Sequence, residues 1–190
     1  MAGAAKLVAE AGPAGVSSWW SAFGEAERGA LITLMPAVIG NLEGVKYADR
    51  AAANNIYLKD QLAAARADLD AAKLDIPRWN DRGSVEAYNE RIAQLEMRVD
   101  ALDNIQVTAD RSDRFLISLS DGVPPLAAIA IGDPDQADNI TFAVPGMGAT
   151  TVDMDDWALT AQHLRDEQFV VESARQHSVI AWVGYETPPT

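Results

Sequence analysis

The sequence predicts an α/β fold, a small sheet preceded by an α-helical hairpin, and three observations predict it. Two apolar seams at heptad spacing lie between residues 46 and 102. Near Asn104 this periodicity gives way to short β-branched runs separated by turn signals. One further helical segment stands between the third and the fourth of those runs. At 190 residues the chain holds one domain with a real core, or a small domain with a helical extension. The expected organisation is a flexible leader over 1–18, a helical region over 19–105 and a strand-strand-strand-helix-strand unit over 106–190.

The first 18 residues are small and polar and include Gly12, Pro13 and Gly15, which fits a loosely ordered leader. From Ser21 to Met35, Phe23, Ala26, Ala30, Leu31 and Leu34 fall at helical spacing, and Pro36 disfavours continuation. In Lys46 to Leu74 the seam is Leu58, Leu62, Ala65, Leu69 and Ala72; in the next run it is Tyr88, Ile92, Leu95, Val99 and Leu102. Pro77 and Gly83 break helix between them, so the pair reads as an antiparallel hairpin. Then come RFLISLSDG, with Phe115, Ile117 and Leu119 alternating against polar neighbours, and the almost wholly apolar LAAIAI and ITFAV, expected as interior strands covered on both faces. A helix over Asp153 to Gln176 and a last buried strand, SVIAWVGY, complete the order.

Charge narrows the partners. Residues 1–105 carry 11 basic against 15 acidic side chains, and 106–190 carry 4 against 13, within a total net charge of −13. Such a surface repels phosphate backbones and anionic headgroups, which excludes nucleic acid and membrane as expected partners. The chain has no cysteine, so disulfides and thiolate chemistry are absent. No secretory signal or membrane-length apolar run is legible; the compartment stays open, with the cytoplasm favoured.

Three strings carry a family resemblance: WWSAF…ERGALITLMPAVIGNLEGVKYADRAAANNIYL, AIAIGDPDQADNITFAVPGMGATT and VIAWVGYETP. In this order they closely resemble an actinobacterial family of α/β-hydrolase proteins described mainly as a domain of unknown function, over about Trp19 to Pro188. The resemblance implies a partial α/β-hydrolase sheet and an ester or other acyl hydrolase class. It makes Gly146, Met147 and Gly148, after the third strand, the candidates for an oxyanion-hole loop, where backbone N–H groups stabilise the charge of an acyl-transfer intermediate. A plain glycine turn is the alternative. The family's nucleophile stands on a Gly-x-Ser-x-Gly turn after the next strand, with acid and histidine further on. No serine here is flanked by glycine at both −2 and +2, so no catalytic residue is assigned, and residues 1–190 are expected to be inactive alone. The alternative is a non-catalytic relative acting as a protein-binding or assembly module.

Other candidates weigh towards structure. His163 and His177 are fourteen residues apart, about 21 Å on an intact helix, too far to share a metal. Asp133, Asp135 and Asp138 lack a calcium-loop pattern and suit a turn; Asp153, Asp155 and Asp156 suit a helix N-terminus. Asp49, Arg50, Asn54 and Asn55 suggest a buried hydrogen-bonding cluster joining helices to sheet. Trp182 and Tyr185, at the end of the last strand, are candidates for lining a pocket, with core or interface packing as the other reading. No metal or cofactor is expected. A half sheet with an unpaired edge predicts self-association or a complementary C-terminal chain.

Overall fold

A computed structural model describes residues 2–77 and 82–185, with side chains from residue 12 onward. The middle of the hairpin connector, 78–81, and the end of the last resemblance string, 186–190, lie outside the described residues.

Where a loose leader was expected, a helix (α1, Ala2–Ser21) runs through, broken at Gly12, whose φ of 62° only glycine adopts readily. Its second half is anchored because Val16 and Trp20 enter a small core with Ile32, Ile39, Leu42, Val45 and Ala53. The following helix splits in two, α2 (Glu25–Leu34) and α3 (Pro36–Ile39), since Pro36 cannot donate to a continuing helix but suits a first helical position.

The hairpin forms from α4 (Tyr47–Leu74) and α5 (Arg82–Ala109). Ion pairs Arg66–Asp103, Lys73–Glu96 and Arg91–Asp75 run antiparallel along it. Its base and tip differ. Leu58, Leu62 and Ala65 of α4 and Leu102, Ile105 and Ala109 of α5 belong to the main core, whereas Leu69 and Leu95 towards the tip are only half-buried. A division at residue 105 falls within α5.

The sheet has strands β1 (Arg114–Leu119), β2 (Ala127–Ile131), β3 (Asn139–Ala143) and β4 (His177–Val183), in the order β1-β2-β4-β3. β2 is antiparallel to both its neighbours, and β3 runs parallel to β4 through a crossover made by a 3-10 turn (Thr151–Asp153) and α6 (Met154–Val171). That helix ends five residues before the expected Gln176, with Glu172 at its C-cap.

Two strands depart from their expected patterning. A bulge between Leu116 and Ser118 puts Leu116 and Leu119 on the main-core face and Phe115 and Ile117 on the other, so Phe115, Ile117 and Leu119 do not share a face. β3 is an edge strand with alternating half-buried and exposed residues, not an interior one. β2 is buried throughout. Helices α4, α5 and α6 supply the core on one face; the other carries a smaller cluster of Ile117, Ala128, Ala130 and Ile180, with Phe115, Trp182 and Tyr47 packed against it. Large aromatics thus pack beside the alanines of this second face. Among the described residues no helix is long and apolar enough to cross a membrane.

Candidate functional site

In a sheet of this type ligands bind beyond the carboxyl ends of the parallel strands. Three segments converge at that end. The β1–β2 turn follows the end of β1, the loop 144–150 follows β3, and Gly184 and Tyr185 follow β4.

The 144–150 loop contains the three oxyanion candidates. Gly146, Met147 and Gly148 are exposed, Met147 by 70%, and Gly148 has a φ of 74° that a side chain would strain. A Cβ at Gly146 would meet nothing within 4 Å, so this backbone is open to an approaching group. Among the described residues, no carbonyl or side chain accepts from the amides of these three. The loop is fixed at its flanks. Pro145 is buried and its carbonyl accepts a 2.7 Å hydrogen bond from the Tyr185 hydroxyl; Thr150 Oγ1 accepts from Val152 N at the start of the crossover.

The two pocket candidates part company. Tyr185 lines a cavity of about 220 Å³ together with residues 123–126, 149–151 and Val183, beside the loop. Trp182 packs against the Ile117–Ile180 cluster, and its ring occupies the space over Gly184, where an added Cβ would lie 2.2 Å from it. The cavity walls at 123–126 and 149–151 were not legible as a site. The signal was there: an antiparallel β1–β2 pair must turn at the same end as the loop after a strand parallel to β1.

A larger concavity, about 610 Å³, lies at the opposite end of the sheet between β3 and the end of α6. Asp138, Glu167 and Glu172 line it, beside the amino-terminal residues of β3 and β4. Volume alone would rank it first, but it lies away from the carboxyl strand ends and from the glycine loop. His177, which touches it, is the first residue of β4, buried, with Nε2 3.1 Å from the Glu172 carbonyl oxygen and its ring edge-on to Phe169. His163 is exposed on α6, where its neighbour Asp166 accepts from Gln162. The histidines therefore lie on different elements.

The acidic candidates have structural partners. Asp135 receives the amides of Tyr47 and Ala48 and so caps α4; Asp133 receives the amide of Asp135, and Asp138 that of Gln176. Asp155 exchanges two hydrogen bonds with Asn104. Among the described residues no group of three metal-ligating side chains converges. The Asp49–Asn54 string does join helices to sheet: Asn54 Nδ2 donates to the carbonyls of Gly40 and Leu116, Arg50 Nε donates to Gly40 and pairs with Glu43, and Asp49 accepts from Trp20.

These features define a class, a partial α/β-hydrolase sheet with a helical N-terminal region. Residues 122–190 match the model of an alpha/beta hydrolase family. Two relatives extend the similarity along the chain: uncharacterized proteins of Mycobacterium tuberculosis strains CDC 1551 / Oshkosh and ATCC 25618 / H37Rv, each 27% identical over 188 residues. The match covers 91% of this chain but 28% of each relative, so the chain spans little more than a quarter of their length. No solved structure matches it.

Proposed function

We propose that this chain is the oxyanion-bearing N-terminal part of an ester or other acyl hydrolase, and that the nucleophile, acid and histidine come from further sequence. The observation that carries this reading is the position of the 146–148 loop: after β3, at the carboxyl end of the sheet, beside a cavity, with amides that no described residue accepts from, within the residues that match the hydrolase family. Acyl transfer needs donors preorganised where the carbonyl oxygen becomes negative, and open glycine backbone provides them without a Cβ in the way. The length ratio to the relatives supports a remainder that supplies what residues 1–190 lack.

A second reading has its own support. The sequence holds no Gly-x-Ser-x-Gly, and Ile140, Phe142 and Val144 stand 41, 56 and 53% exposed along the β3 edge, as a binding or assembly module would present them.

Two measurements separate the readings. Residues 1–190 alone should neither turn over short-chain nitrophenyl esters nor be labelled by a fluorophosphonate, since no activated serine is present. A longer protein carrying sequence like the rest of the relatives should do both, and Gly148→Val in it should lower kcat about 10²-fold. Labelling of a serine within 1–190, or an inert longer protein, would overturn the hydrolase proposal.

A further inference from the structure

We infer that the 220 Å³ cavity at the carboxyl end of the sheet is a subsite for an uncharged apolar group, a short acyl or alkyl chain carried by the ligand whose polar end meets the 146–148 loop. The inference rests on the acyl-transfer reading and adds a substrate class to it.

The walls make the case. Val123, Leu126 and Val183 face the cavity, and among the described residues none that lines it is charged. Three hydroxyls also lie in the wall, but each already has a partner: Thr151 Oγ1 donates to the Pro125 carbonyl, the Tyr185 hydroxyl to the Pro145 carbonyl, and Thr150 Oγ1 accepts from Val152 N. A charged group would lose its hydration there with no opposite charge to replace it, whereas an apolar group gains from leaving water. Size sets the chain length. Apolar cavities of about 150 Å³ take benzene, so this one suits a chain of roughly six carbons.

Geometry then links the cavity to the loop. Ala149, in the wall, directly follows Gly148, and Tyr185 both lines the cavity and holds the loop through Pro145. A ligand whose carbonyl reaches the glycine amides therefore has its chain directed at the cavity mouth. The larger groove between β3 and α6, with three carboxylates in its walls, offers no such match.

The test is binding rather than turnover, so it needs no nucleophile. Residues 1–190, labelled with ¹⁵N, are titrated with hexanamide and, separately, with hexylammonium, and amide shifts are followed. Hexanamide should saturate with shifts centred on Ala149, Thr151 and Val183, while hexylammonium binds at least tenfold more weakly there. Ala149→Leu, which fills the cavity, should weaken hexanamide at least tenfold. Should that variant unfold, Val123→Trp, at the exposed rim, should do the same. Shifts centred on Thr141 and Gln168, equal binding of the two probes, or affinity unchanged by the filling variants would overturn the subsite. Loss of binding leaves the hydrolase reading standing, and a longer protein inert towards esters that still binds hexanamide overturns that reading alone.

Discussion

An edge strand leaves backbone groups in need of partners, and on the β1 side two asparagine side chains supply them. Asn41 Oδ1 accepts from Leu119 N and from the Ser118 hydroxyl, and Asn41 Nδ2 donates to Leu119 O; Asn54 Nδ2 donates to Leu116 O. The side chains act as a short strand would, which explains why asparagine stands in a helix where propensity disfavours it. Gly40 is part of the same device, because a Cβ there would lie 2.0 Å from Asn54 Oδ1. Gly40→Ala should therefore lower stability by about 1–3 kcal/mol, the range for overpacking a closed site. Asn54→Leu should cost about 1–3 kcal/mol by leaving the Leu116 carbonyl unpaired, since Arg50 still serves Gly40. Urea unfolding of each variant checks both figures; a midpoint unchanged for Gly40→Ala would mean that Asn54 moves aside freely. At this scale the sequence was half legible. Polar residues inside an apolar helix announced a cluster, but Asn41 gave no signal, because an asparagine beside a glycine reads equally as a turn.

Elements differ in how much of their seam is covered, and heptad spacing does not report it. Spacing placed Leu62, Leu69 and Leu95 alike on the hairpin seam. Leu62 is 3% exposed in the core shared with the sheet, while Leu69 and Leu95 are half-buried and stand outside that core. Leu62→Ala should cost about 2–5 kcal/mol as a core truncation. Leu69→Ala and Leu95→Ala should each cost about 1 kcal/mol, in proportion to partial burial. Equal shifts in denaturant midpoint for all three would show that the tip is packed as tightly as the base. The same reasoning explains where the strand patterning failed. The apolar run ITFAV was read as interior because interior strands are apolar, yet β3 is an edge whose Ile140 and Phe142 share the face of Ser178 and Ile180. Apolar composition alone does not tell an interior strand from an edge one. The β1 bulge was equally silent, since a single extra residue changes the face of Leu119 without changing composition.

For the whole molecule the two edges of the sheet are unequal, and that inequality predicts its association. The β1 edge is occupied by Asn41 and Asn54, and the main-core face by three helices. Among the described residues β3 pairs on one side only, with β4, and Ile140 and Phe142 of the strand and Val144 just after it are exposed. Unpaired strand groups beside apolar side chains form a template for another strand. The net charge of −13 opposes indiscriminate aggregation, which leaves a defined complex as the favoured outcome. Residues 1–190 at micromolar concentration should accordingly elute as a dimer in light scattering, or as a heteromer when a complementary C-terminal chain is supplied. Phe142→Lys and Ile140→Lys should each shift the dimer towards monomer, because a charged edge side chain blocks strand pairing. Both positions are exposed, so folding should survive, with unfolding free energies within about 0.5 kcal/mol of the parent. Leu34→Lys, an exposed change on α2 away from the sheet, should leave the dimer intact. A sharp monomer near 20.4 kDa for the parent chain would show that an open β3 edge is tolerated in isolation, and a dimer lost with Leu34→Lys but kept with Phe142→Lys would move the interface to the N-terminal helices.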